Sequence, residues 1–185
     1  ALQHISASVG HENLFVGAIQ RINGEQKRRF VERISAKLGR PLKDATIAVW
    51  GLAFKADTDD IRESPAIDVI RYLLEGEARV RAHDYKAMEN MKQIFGDQVE
   101  WVNDPVACAA GADAVAVLTD WPQYNTLPFR KVSATMNQPV IFDGRNCLQR
   151  DVMRENGFQY YPIGRPALES PLRLRNGYRV AAAEK

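Results

Sequence analysis

The chain has 185 residues, 45% of them apolar, enough for one full hydrophobic core with a helical appendage. Its 25 basic and 23 acidic side chains leave a net charge of +2 spread along the sequence, so no polybasic face points to nucleic acid or an anionic membrane, and any phosphate recognition must be local. Two cysteines, Cys108 and Cys147, are too few for a disulfide framework or a thiolate metal site, and His4, His11 and His83 show no ligand spacing, so no metal is expected and a reducing cytoplasm fits best.

Residues 1–10 lack the basic segment and apolar run of a signal peptide, and nowhere does an apolar stretch approach the roughly 20 residues that span a bilayer. Beginning at Ala1 rather than Met, the chain reads as a piece of a longer protein. Over residues 13–38, Leu14, Ala18, Ile22, Phe30 and Ile34 recur near helical spacing among charged residues. This predicts a long amphipathic helix, stopped by Gly39 with Pro41 beyond it, so that residues 1–40 form a helical arm projecting from the domain.

From Thr46 the pattern changes to short apolar runs, at 46–53, 80–84, 99–102, 114–119, 140–143 and 159–163. Helix candidates begin between them near Pro65, Lys86, Pro105, Pro128 and Leu148. The alternation predicts an α/β domain over residues 41–164: a doubly wound, mostly parallel, Rossmann-like sheet of about six strands preceded by the long helix. Residues 165–185 lose periodicity and read as a surface tail.

Ligands of open α/β sheets bind outside the carboxyl ends of the strands, so those ends are where chemistry is sought. The first, residues 51–65, is long for a βα connection and closes on Ser64 as an N-cap with Pro65 at the first helical position. Lys55 and Arg62 can hold phosphate oxygens, but Asp57, Asp59, Asp60 and Glu63 outnumber them, so the acids orient the cations or the loop is simply solvated. A dinucleotide fingerprint would repeat glycines after Gly51, and Leu52-Ala53-Phe54 does not. Asp84, at the end of the second run, is placed like a ribose-binding acid; without the Gly-rich turn a structural role is favoured.

Arg145, released by Gly144, suits a bidentate anchor, the alternative being a structural pairing with Asp143 or a carbonyl. Trp121 is suited either to stacking on a base or to packing on the sheet end. Cys147 has no His or acid relay beside it and Cys108 sits in a small-residue run, so no catalytic nucleophile is assigned.

Three strand-end segments together, Gly51-Leu52-Ala53-Phe54-Lys55 through Thr58-Asp59 to Arg62-Glu63-Ser64, then Thr119-Asp120-Trp121, then Phe142-Asp143-Gly144-Arg145-Asn146, resemble the nucleotide-sugar 6-dehydrogenases of the UDP-glucose/GDP-mannose dehydrogenase family, the UDP-glucose branch in particular. The arm with Asn23 and Gln26 resembles the end of that family's long central helix. The resemblance implies an enzyme that oxidises the 6-hydroxymethyl group of UDP-glucose to a carboxylate with two NAD molecules in succession. It implies that this chain is the C-terminal UDP-binding part, working with the remaining domains in a homodimer joined through the central helix. Phe54, Lys55 and Arg145 would contact the UDP-sugar, and Arg62 would reach NAD held mainly by the other domains. The family's cysteine, phenylalanine, proline, lysine, aspartate motif surrounds neither Cys108 nor Cys147, so the chain alone is expected to be inactive. Two other readings compete: a flavodoxin-like regulatory module, disfavoured because the first strand ends in Phe54-Lys55 rather than an acid cluster, and an oligomerisation module built on the apolar arm. A dehydrogenase acting on another nucleotide sugar remains an alternative within the family.

Overall fold

The computed structural model describes residues 14–169, without the side chains of residues 14–16 and 20. Helix α1 is Leu14–Leu38, followed by β1 (Thr46–Trp50), α2 (Pro65–Glu75), β2 (Arg79–His83), α3 (Met88–Phe95) and β3 (Val99–Trp101). Then come α4 (Pro105–Ala109), β4 (Ala114–Val117), α5 (Phe129–Thr135), β5 (Val140–Asp143), α6 (Arg150–Glu155) and β6 (Gln159–Pro162). The six strands form one sheet in the order β3-β2-β1-β4-β5-β6, every neighbouring pair parallel. This is the dinucleotide-fold order, with its reversal between β1 and β4, and a crevice opens at such a switch point.

The central strands β1, β4 and β5 are buried almost throughout, because helices cover both faces of a parallel sheet and leave no solvent side for polar alternation. β1 ends at Trp50, short of the apolar run that announced it, because Gly51 adopts φ +90°. A Cβ there would lie 2.5 Å from the Thr119 backbone nitrogen, so only glycine allows this close approach of the two strand ends. Helices α3 and α6 start two residues later than the sequence suggests, and one cause serves both. The Asp84 carboxylate takes the Lys86 and Ala87 amides, and the Asp143 carboxylate takes the Leu148 amide, so a side-chain turn precedes each helix.

The arm does not simply project. Phe30, Val31, Ile34 and Leu38, spaced by helical turns, are buried in the common core, and Phe30 meets Phe142 of β5 edge to face at 6.4 Å. Lys27 pairs with Asp68 of α2 at 2.5 Å, and the Arg28 guanidinium lies 4.6 Å from the centre of the Tyr72 ring. Farther toward the N-terminus, Ile19 and Ile22 are exposed. Past β6, Leu168 forms an antiparallel bridge with Tyr160, so the first residues of the expected tail are tied to the sheet edge. Asn13, the expected first residue of the helix, and the tail beyond residue 169 lie outside the described residues.

Candidate functional site

The register sets the carboxyl ends of β1, β4 and β5 side by side: Trp50 is opposite Val117, and Val117 is opposite Asp143. The residues that follow each strand carry the three motifs. They are held in place by two buried carboxylates, Asp84 after β2 and Asp143 at the end of β5.

Asp84 is 1% exposed, and its carboxylate accepts five hydrogen bonds. Oδ2 takes the amides of Leu52 (2.6 Å) and Ala53 (3.1 Å) and the indole Nε1 of Trp121 (3.0 Å); Oδ1 takes the amides of Lys86 (2.8 Å) and Ala87 (2.9 Å). A carboxylate offers about four lone-pair sites, so none is left for a ribose hydroxyl. Asp84 therefore clamps the β1, β2 and β4 ends together, and Trp121, buried beneath it, packs and donates rather than offering a stacking face.

The loop that follows β1 is shaped by the same logic. Ser64 Oγ donates to the Leu52 carbonyl at 2.7 Å and accepts from the Ala66 amide at 3.2 Å, capping α2 and closing the loop on its own start. The Phe54 amide donates to the Asp60 carbonyl, while Lys86 Nζ and Asn90 Nδ2 hold the carbonyls of Asp57 and Asp59. Within this frame Phe54 is 45% exposed, an unusual setting for a phenylalanine, and Lys55 beside it is exposed as well. Arg62 projects into solvent with Nε and Nη2 on the two carboxylate oxygens of Asp60, at 2.9 and 2.7 Å. Of the nearby acids, Asp60 is thus the one that directs it. The Arg62 hydrogen bonds pull the Asp60 carboxyl down to about 2, so the pair stays ionised at any ordinary pH.

At the end of β5, Asp143 is fully buried and accepts from the Arg145 amide (2.9 Å), the Leu148 amide (2.9 Å) and the Tyr160 hydroxyl (2.8 Å). The Arg145 side chain does not fold back onto Asp143. It crosses to the β4 turn, where Nη2 donates to Asp120 Oδ1 at 3.1 Å. Among the described residues a single one of its five donors is engaged in this way. Thr119, buried on the other side of Asp120, donates through Oγ1 to the Ala53 carbonyl at 2.6 Å.

The remaining reactive groups are quiet. Burial pushes the Cys108 and Cys147 thiols up to about 12, with Asp143 adding to the effect at Cys147, so neither supplies a thiolate at neutral pH. Burial also pushes the His83 imidazole down, and its Nδ1 lies 3.0 Å from the Tyr124 hydroxyl inside an aromatic cluster. Among the described residues no group of three metal-binding side chains occurs, and no helix is long and apolar enough to cross a membrane. A cavity of about 470 Å³ lies at the opposite end of the sheet, lined by Thr46, Arg79, Arg81 and Glu100. There Arg81 is already committed to the Ala110 carbonyl and to Glu100.

Sequence reasoning missed Asp120 as the partner of Arg145. The available signal was its place at the turn of the strand neighbouring β5, which becomes visible only once the strand order is known.

Residues 48–150 match the UDP-glucose/GDP-mannose dehydrogenase family, UDP binding domain. The UDP-glucose 6-dehydrogenase TuaD of Bacillus subtilis (strain 168) is 38% identical over 168 residues, which cover 91% of this chain and 36% of that protein. The UDP-glucose 6-dehydrogenase of Rhizobium meliloti (strain 1021) is 37% identical over 145 residues, 78% of this chain and 33% of its own length. The structure of a UDP-glucose dehydrogenase from the hyperthermophilic archaeon Pyrobaculum islandicum superposes with a TM-score of 0.72 at 37% identity, covering 87% of this chain and 34% of that one. The chain thus spans about a third of the length of these relatives. With its strand order, its three strand-end motifs and this similarity in agreement, the chain belongs to the UDP-glucose/GDP-mannose dehydrogenase family and spans the family's UDP-binding domain.

Proposed function

We propose that the carboxyl-end face of the sheet binds the UDP part of a UDP-sugar, with Phe54, Lys55 and Arg145 as its contacts, and that the longer protein oxidises UDP-glucose to UDP-glucuronate with NAD. The observation that carries this reading is Arg145, a guanidinium with a single donor engaged among the described residues, stationed across the switch point from Lys55 in a domain of the UDP-binding family. Phe54 offers an exposed ring for the apolar face of a base or sugar. The relatives named as UDP-glucose 6-dehydrogenases support glucose as the sugar.

NAD does not fit the strand ends of this domain as its main site, since Gly51-Leu52-Ala53-Phe54 is not the glycine-rich turn and Asp84 is saturated. What fits is one contact. Asp60 occupies the Nε side of Arg62 and leaves Nη1 facing solvent for a cofactor phosphate, the cofactor supplying the hydride acceptor from the other domains. The exposed Ile19 and Ile22 of α1 suit a homodimer contact through that helix.

The test is calorimetry with UDP on this chain together with an NADH assay. The chain is expected to bind UDP and to form no NADH from UDP-glucose and NAD, because it lacks the glycine-rich turn that would hold NAD and burial leaves neither thiol as a ready nucleophile. Absence of any UDP heat, or NADH formation abolished by blocking Cys147, would overturn the reading. Arg62→Ala in the longer protein is expected to raise the KM for NAD about tenfold, the scale of one lost charge-assisted hydrogen bond, with little change for the UDP-sugar. A lower melting temperature with both KM values unchanged would instead make the Asp60–Arg62 pair purely structural.

A further inference from the structure

We propose that Asp120 is a positioning residue for UDP binding: it aims the Arg145 guanidinium across the β4–β5 boundary from a turn that is fixed independently of it. This inference rests on the assignment of Arg145 to the UDP site.

Arg145 is a long side chain leaving a strand end just after Gly144, and its own segment restrains only its backbone, through the hydrogen bond that its amide donates to the Asp143 carboxylate. Among the described residues, the side-chain hydrogen bond of Arg145 goes to Asp120, at 3.1 Å. Asp120 is itself held from both sides. Thr119 is buried and bound to the Ala53 carbonyl, and Trp121 is buried and bound to Asp84. The same three-residue turn therefore sets the start of the Phe54-Lys55 segment through Thr119 and the direction of Arg145 through Asp120, which fixes the two halves of the site relative to each other.

Electrostatics favours direction over attraction as the role of Asp120. A carboxylate beside an anionic ligand repels it, so Asp120 weakens UDP binding through its charge and aids it only by holding the guanidinium in place. With side chains 35% and 48% exposed, the Arg145–Asp120 pair contributes little to stability, so its loss is felt at the ligand and not in the fold.

Asp120→Asn and Asp120→Ala separate the two effects, because both remove the charge and only asparagine keeps an acceptor for Nη2. Titrated with UDP, the alanine variant of this chain is expected to bind about three- to fivefold more weakly than the asparagine variant, a factor on the scale of one hydrogen bond. In an Arg145→Ala background the ratio is expected to fall to one. In the unliganded chain, ¹⁵N relaxation of the Arg145 Nε is expected to show greater mobility in Asp120→Ala than in Asp120→Asn, at equal melting temperatures. Equal affinities for the two variants with an intact Arg145 effect, or unchanged Nε relaxation, would overturn the proposal. If Arg145→Ala alone leaves UDP affinity unchanged, the assignment of Arg145 fails first, and the relaxation result then shows whether Asp120 still orders that side chain.

Discussion

Asp84→Asn is expected to lower the unfolding free energy by about 3 to 5 kcal/mol, the range seen when one partner of a buried, hydrogen-bonded network is removed. For a chain of this size that corresponds to a drop of roughly 6 to 20 °C in melting temperature. Asparagine preserves the shape of the side chain, so the effect isolates hydrogen bonding from packing. Its amide nitrogen would face donors instead of accepting from them: either the Leu52, Ala53 and Trp121 set or the Lys86 and Ala87 pair would lose its acceptor. Asp84→Ala removes both sets and is expected to cost at least as much, and thermal unfolding of the two variants measures it. A melting temperature within a degree or two of the unaltered chain would show that water satisfies these donors as well as the carboxylate does. The change should also reach the ligand, since Leu52 and Ala53 lead directly into Phe54 and Lys55.

Arg145→Ala and Lys55→Ala are each expected to weaken UDP binding by about 1.5 to 3 kcal/mol, roughly 10- to 150-fold, as for lost charge-assisted hydrogen bonds. Their effect on stability is expected to be small. Asp143 takes the backbone amide of Arg145, which alanine retains, and Lys55 is exposed. Arg145→Lys should recover little, because an ammonium cannot present a planar fork to a phosphate while also meeting Asp120. The double variant adds information: if the two cations hold different parts of UDP their effects should sum, and if they share one phosphate the sum should fall short. Calorimetry that finds UDP affinity unaltered in both single variants removes them from the site.

Much of this molecule is legible in the amino-acid sequence alone. The alternation of apolar runs with helical periods placed all six strands and the helices to within a few residues, and the Ser64-Pro65 cap marked the start of α2, because burial and capping are imposed residue by residue along the chain. The three motifs stood out as unusual residues at strand ends, and the mismatch of Gly51-Leu52-Ala53-Phe54 with a dinucleotide fingerprint was visible in the residues themselves.

Tertiary structure decided which groups meet. The sequence names Asp84, Asp120, Asp143 and Arg145 but carries no sign that Asp84 is saturated by donors from three strand ends, that Asp120 rather than Asp143 receives the Arg145 side chain, or that the second half of α1 is core. Each depends on the order β3-β2-β1-β4-β5-β6, which brings residues 32, 37 and 25 positions apart within hydrogen-bonding distance. Periodicity records how deeply a residue is buried, a property of its own neighbourhood along the chain. The partner of a charged side chain is set by which strands lie next to each other, and that is decided by the packing of the whole sheet.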